Sequence, residues 1–100
     1  MFARVITIQA LPGKLDEAAA LYRDAVTPHM KQQKGFHATY LLTDRDTGNA
    51  VSLTVWESEA DQAAFDGDHD FRQQLAKVAP LLASPPARSE FVVSVAEGSS

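Results

Sequence analysis

The chain has 100 residues, 45% hydrophobic and 22% charged, the balance of one soluble globular domain, with too little length for two. Its formal net charge of −4, with acids and bases interspersed, lacks the clustered basic footprint that nucleic acid requires. The absence of cysteine excludes disulfides, thiolate catalysis and cysteine-held metals, and no apolar run approaches the roughly 20 residues that span a bilayer.

Met1 to Val5 enter a strand pattern without the basic-then-apolar layout of an export signal, so a reduced, cytoplasmic setting is expected. Phe2 to Ala10 alternate and are β-branched at Val5, Ile6, Thr7 and Ile8, which predicts a first strand. After the break at Leu11-Pro12-Gly13, Lys14 to about Met30 carry Leu15, Ala18, Ala19, Tyr22, Ala25, Val26 and Met30 at amphipathic-helix spacing. Pro28 should kink or end its last turn, and Gly35 is a natural stop.

Phe36 to Thr43 and Ala50 to Glu57 read as two strands of a hairpin, joined by the turn formers Asp44 to Asn49. Ser58 is a helix cap with Asp61 in capping-box position, opening a short helix through Ala64 and Phe65. Gly67-Asp68 interrupts. A further helix then places Phe71, Leu75, Val78 and Leu82 on one stripe, with Pro80 distorting its end. Arg88 to Val95 is the last strand, and residues 97–100 read as a disordered tail after a single domain at 2–96.

The order β-α-β-β-α(α)-β is that of an α+β, ferredoxin-like fold with a four-stranded antiparallel sheet, the first and third strands central. Helices cover one sheet face. The other should be polar if it meets water. Instead both alternating sets are at least half apolar: Phe2, Ile6, Ile8 against Ala3, Val5 on the first strand, and Val51, Leu53, Val55 against Trp56 on the third. A homodimer closed through that sheet face is therefore expected.

Several fragments come in a recognisable order: P-G-K at Pro12 to Lys14, K-G-F at Lys34 to Phe36, L-L-T-D-R-D-T-G at Leu41 to Gly48, and S-L-T-V-W-E-S at Ser52 to Ser58. With D-F-R at Asp70 to Arg72 and A-P-L-L at Ala79 to Leu82, the chain resembles the antibiotic biosynthesis monooxygenase family of the dimeric α/β barrel superfamily, from Phe2 to about Val95. The resemblance implies a ligand between sheet and helices, near the tryptophan ending the third strand. It also implies one of three outcomes: oxidation of polycyclic aromatic intermediates by O2 without metal or flavin, haem opening, or no settled activity. The haem-opening members use an axial histidine where this chain has Leu75, and an asparagine at about Ile6, so haem degradation is disfavoured.

The candidates follow from this. Trp56, Phe65, Phe71 and Tyr22 are expected to bind substrate, although aromatics at such spacing also serve as plain core. His69, Arg72 and Tyr40 are the catalytic candidates: His69 because imidazole changes charge near neutrality, Arg72 as a grip on an anionic oxygen, Tyr40 as a polar contact. Family members commonly carry a histidine directly before the phenylalanine, where this chain has Asp70; His69 is one residue earlier. His29 and His37 show no metal-ligand spacing with His69 and acidic residues, and no carboxylate beside a histidine makes a convincing acid–base pair in sequence; no metal and no cofactor are expected. The expected function is a cofactor-independent monooxygenase acting on a small aromatic or phenolic compound. The alternative is a non-catalytic ligand-binding module of the same fold.

Overall fold

In the computed structural model, which describes residues 1–98, the alternating N-terminal segment forms β1 (Phe2–Gln9). It pairs antiparallel with β3 (Asn49–Trp56) on one side and β4 (Ala87–Val92) on the other. β2 (Phe36–Asp44) pairs with β3, giving the order β2-β3-β1-β4 of a ferredoxin-like sheet. The β2–β3 turn closes where Gly48, at φ +78°, donates to the Asp44 carbonyl at 2.8 Å, while the Asp44 side chain accepts from the Asp46 N–H at 3.0 Å.

The first helix comprises α1 (Leu15–Leu21), a π-helical turn at Tyr22–Val26 and α2 (Thr27–Met30). Pro28 has no N–H for the Asp24 carbonyl and its ring crowds that oxygen. The helix widens just before the proline, the Thr27 N–H bonding Tyr22 O, and runs on to Met30. The expected kink or end of the last turn thus becomes a bulge spanning Tyr22–Val26.

α3 (Glu59–Asp66) is capped by Ser58, whose Oγ accepts from the Asp61 N–H at 3.2 Å and donates to Asp61 Oδ2 at 3.0 Å. α4 (His69–Val78) is capped by Asp68, which accepts the Phe71 N–H at 2.9 Å. A 3₁₀ turn at Ala79–Leu81 follows, where Pro80 cannot continue the α-helix. Leu82, expected on the same helix, lies beyond it. β4 is shorter than expected: it ends at Val92, and Ser94 and Val95 lie outside any strand. Of the expected tail, Ser99 and Ser100 lie outside the described residues. No helix among the described residues is long and apolar enough to cross a membrane.

The core sits on the helix-covered face, as a cluster of Val26, Met30, Trp56, Phe65 and Phe71 and a smaller one of Ala10, Leu15 and Ala50. On the opposite face Tyr40 and Leu42 of β2 and Phe91 of β4 are 56%, 55% and 54% exposed. Gly35 controls the entry to β2. It stands at φ +82°, and a Cβ there would run into the Asp61 carboxyl group at the α3 cap. Gly35→Ala is expected to lose about 1–3 kcal/mol of stability, read as a lower denaturant midpoint at unchanged slope.

Candidate functional site

Between sheet and helices lies a cavity of about 580 Å³, within the roughly 300–1,000 Å³ of small-molecule sites. Side chains alternate along a strand, so β1 contributes Arg4, Ile6 and Ile8 to its floor, and β3 contributes Ser52, Thr54 and Trp56. The helices supply the other walls: Tyr22, Val26 and Met30, then Phe65, then Phe71, Arg72 and Leu75. The wall is mostly hydrocarbon and aromatic.

Trp56, 1% exposed, closes one end. Its ring lies tilted 5.2 Å from Phe65, Phe65 lies 4.2 Å from Phe71, and Phe36 meets Trp56 edge-on at 5.9 Å. On the β2 side the Tyr22 hydroxyl is 2.7 Å from Thr39 Oγ1 and 2.8 Å from Ser52 Oγ, and Thr39 reaches Thr54 Oγ1 at 3.1 Å. Those bonds hold the phenol against the sheet and leave the hydroxyls oriented by one another.

On the β4 side lies Arg4, only 4% exposed. It pairs with the Asp66 carboxylate, while its Nε has no hydrogen-bond partner among the described residues. Glu90 stands opposite Arg4 across β1 and β4, but its carboxylate accepts from Gln62 Nε2 at 3.0 Å. Burial, and after it the neighbouring Arg88 charge, push the Arg4 guanidinium below its ordinary value. Arg72 Nε donates to the Asp66 carbonyl at 3.0 Å, which tethers α4 to the end of α3.

The structure therefore gathers Trp56, Phe65, Phe71, Tyr22 and Arg72 around one cavity and leaves two sequence candidates outside it. His69 is exposed in the first turn of α4, its Nε2 3.0 Å from Gln73 Nε2. Tyr40 lies on the far side of the sheet, because the parity of β2 sends Thr39 and Leu41 toward the helices.

Sequence separation also hid the carboxylate partners of the other histidines. His29 Nε2 lies 2.7 Å from Asp68 Oδ1, and His37 pairs with Glu57. His29, Asp68 and Asp70 bring potential ligand atoms within 4.8 Å of one another, but Asp68 Oδ1 already serves the Phe71 N–H and His29. Arg4 could be found from sequence as the one charge in the otherwise apolar set Phe2, Arg4, Ile6, Ile8.

The Asp68 cap has a pH signature. The Phe71 N–H and then His29 hold its carboxyl below the ordinary Asp value. A depressed carboxyl contributes stability that is fully present above the unfolded value of about 3.9 and is lost as pH falls through the folded one. In Asp68→Asn, which keeps a capping oxygen, the stability deficit relative to the native chain should shrink as pH is lowered from about 5 toward 2. Denaturant titrations at each pH check this; a deficit independent of pH would exclude it.

Ile6 and Leu75, the positions at which the resemblance placed the haem-opening members' asparagine and axial histidine, both line this cavity as hydrocarbon, and no histidine is among the described lining residues. Residues 1–77 match the sequence profile of a family described as antibiotic biosynthesis monooxygenase. Rv2558, an uncharacterized protein of Mycobacterium tuberculosis, is 32% identical over 77 residues, covering 76% of this chain and 33% of the relative. Rv2557 of the same organism is 28% identical over 98 residues, covering 94% of this chain and 41% of the relative. The chain thus spans well under half the length of these curated relatives. Among solved structures, Rv0793 from M. tuberculosis superposes with a TM-score of 0.79 at 21% identity, covering 98% of each chain. The NE2512 protein from Nitrosomonas europaea superposes with a TM-score of 0.82 at 21% identity, covering 99% of this chain and 94% of its own.

Proposed function

The chain belongs to the antibiotic biosynthesis monooxygenase family, and from that premise we propose that its cavity binds a small aromatic or phenolic compound and promotes its oxidation by O2 without a resident cofactor. The observation that carries this reading is the cavity of about 580 Å³ walled by Trp56, Phe65 and Phe71. An electron-rich phenolate reduces O2 by itself. When an anthrone-type CH2 becomes a carbonyl, that carbon supplies all four electrons, one oxygen atom enters the product and the other leaves as water. The protein then has only to bind, desolvate and orient the substrate. No histidine, aspartate or glutamate is among the described lining residues, so the guanidinium groups of Arg4 and Arg72 favour the ionised substrate by their charge rather than by taking its proton.

Oxygen uptake over a panel of anthrone- and hydroquinone-like compounds tests this. Ala76→Trp, at an exposed α4 position that also lines the cavity, should abolish uptake with the circular dichroism spectrum unchanged. No uptake by the native chain on any compound would remove the oxidative reading. The lack of an acid–base side chain in the described lining favours a second one, a binding module, signalled by saturable ligand binding without oxygen uptake.

The reading includes a second copy seated on the exposed outer sheet face, where Tyr40, Leu42 and Phe91 supply apolar surface. It also includes a reducing cytoplasmic setting, which a cysteine-free chain suits.

A further inference from the structure

Three arginines reach a cavity that is otherwise hydrocarbon, aromatic and hydroxyl, while the nearby acids, Asp66 and Glu90, do not line it. Arg4 and Arg88 come from adjacent strands on the same sheet face: Ile6 stands opposite Arg88, which puts Arg88 on the diagonal from Arg4. Such diagonal neighbours lie within reach of long side chains. Glu90, the residue directly opposite Arg4, is drawn to Gln62. Asp66 holds Arg4 in place and still leaves its Nε without a partner among the described residues. A guanidinium that is 4% exposed, only partly satisfied by Asp66 and with a second one as its neighbour, gains from a further anion that reaches its free Nε.

We propose that the natural ligand is an apolar, ring-bearing carboxylic acid, its carboxylate held between Arg4 and Arg88 and its ring directed toward Trp56, Phe65 and Phe71. This rests on the cavity being a ligand site and narrows the class of molecule it takes. A carboxylate is the matching group on two grounds. Its two oxygens accept from the planar fork of each guanidinium, and it is fully ionised at neutral pH. The hydroxyl chain of Tyr22, Thr39 and Ser52 lies across the sheet from the arginines, toward β2, and so meets a different part of the same ligand.

The chain has a single tryptophan, Trp56, and it lines the cavity, so its fluorescence reports occupancy directly. The probes are 4-phenylbutyrate and 4-phenyl-1-butanol, which differ only in the head group. At pH 7 the acid should bind at least about tenfold more tightly than the alcohol, the scale of a charge-assisted hydrogen bond. Arg88→Gln, at an exposed position whose loss leaves the core intact, should bring the two affinities together, and added salt should weaken the acid alone. Equal quenching by acid and alcohol in the native chain would overturn the carboxylate assignment and leave the cavity reading standing. Quenching by neither up to millimolar concentration would overturn both. An acid preference that survives in both Arg88→Gln and Arg4→Lys would place the anion elsewhere and overturn the assignment.

Discussion

Replacing Trp56 with alanine is expected to lower the unfolding free energy by about 3–5 kcal/mol, the largest loss of any single substitution on the helix-covered face. The ring is 1% exposed and sits within the larger core cluster, with Phe36 from β2 at its edge and Phe65 from α3 tilted across its face. Removing it leaves a hole that the sheet cannot close, because β3 is held on both sides by β1 and β2. A domain of this size has only about 5–15 kcal/mol to lose, so the variant should sit near its folding threshold. Circular dichroism in denaturant is the appropriate measurement, since the substitution removes the only tryptophan. A loss below about 1 kcal/mol would mean that the ring faces space on most of its surface and is a ligand wall with little part in the core. Trp56→Phe separates the two roles: it keeps an aromatic plug and should keep the fold, while shrinking the wall against which a ligand stacks.

The double role of Trp56 also shows which parts of this molecule are legible in sequence. Strand order and hairpin follow from period-two alternation and turn residues, and the inward set of β3, ending in Trp56, can be read before any coordinates exist. Aromatic residues announce a cavity wall for the same reason, since a large ring on an inward position must be buried somewhere. The π turn at Tyr22–Val26 is not legible, because Pro28 predicts a disturbance without saying whether the helix stops or widens. Side chains that depend on long-range approach are hidden as well. His29 and Asp68 are 39 positions apart, and only the packing of α4 against the first helix makes them neighbours. His69 and Tyr40 have suitable chemistry for a site, but their place on a helix turn or a strand face decides access, and the fold turns both away. Arg4 is the converse, a residue whose chemistry is plain and whose importance rests on where β1 carries it.

Leu53→Glu is expected to convert the proposed dimer into monomers while leaving the secondary structure of each chain intact. Leu53 lies on central strand β3, opposite Val5 of β1 and Tyr40 of β2, on the sheet face that no helix among the described residues covers. In a monomer Leu53 is half-buried, and the longer glutamate side chain can carry its carboxylate out to water. Across a two-fold axis the same substitution places a charge in the interface twice, once from each copy. An unpaired charge of this kind costs roughly 3 kcal/mol or more, and two of them amount to about four powers of ten in the dissociation constant. Sedimentation velocity at micromolar concentration should give a dimer mass for the native chain and a single-chain mass for the variant. A native chain sedimenting as a monomer would sink the sheet-face interface, and a variant that stays dimeric would move the contact to another surface. Stability should follow assembly. A domain of this length buries a modest share of its surface alone, so the native chain should melt at a temperature that rises with its concentration, and the variant should not.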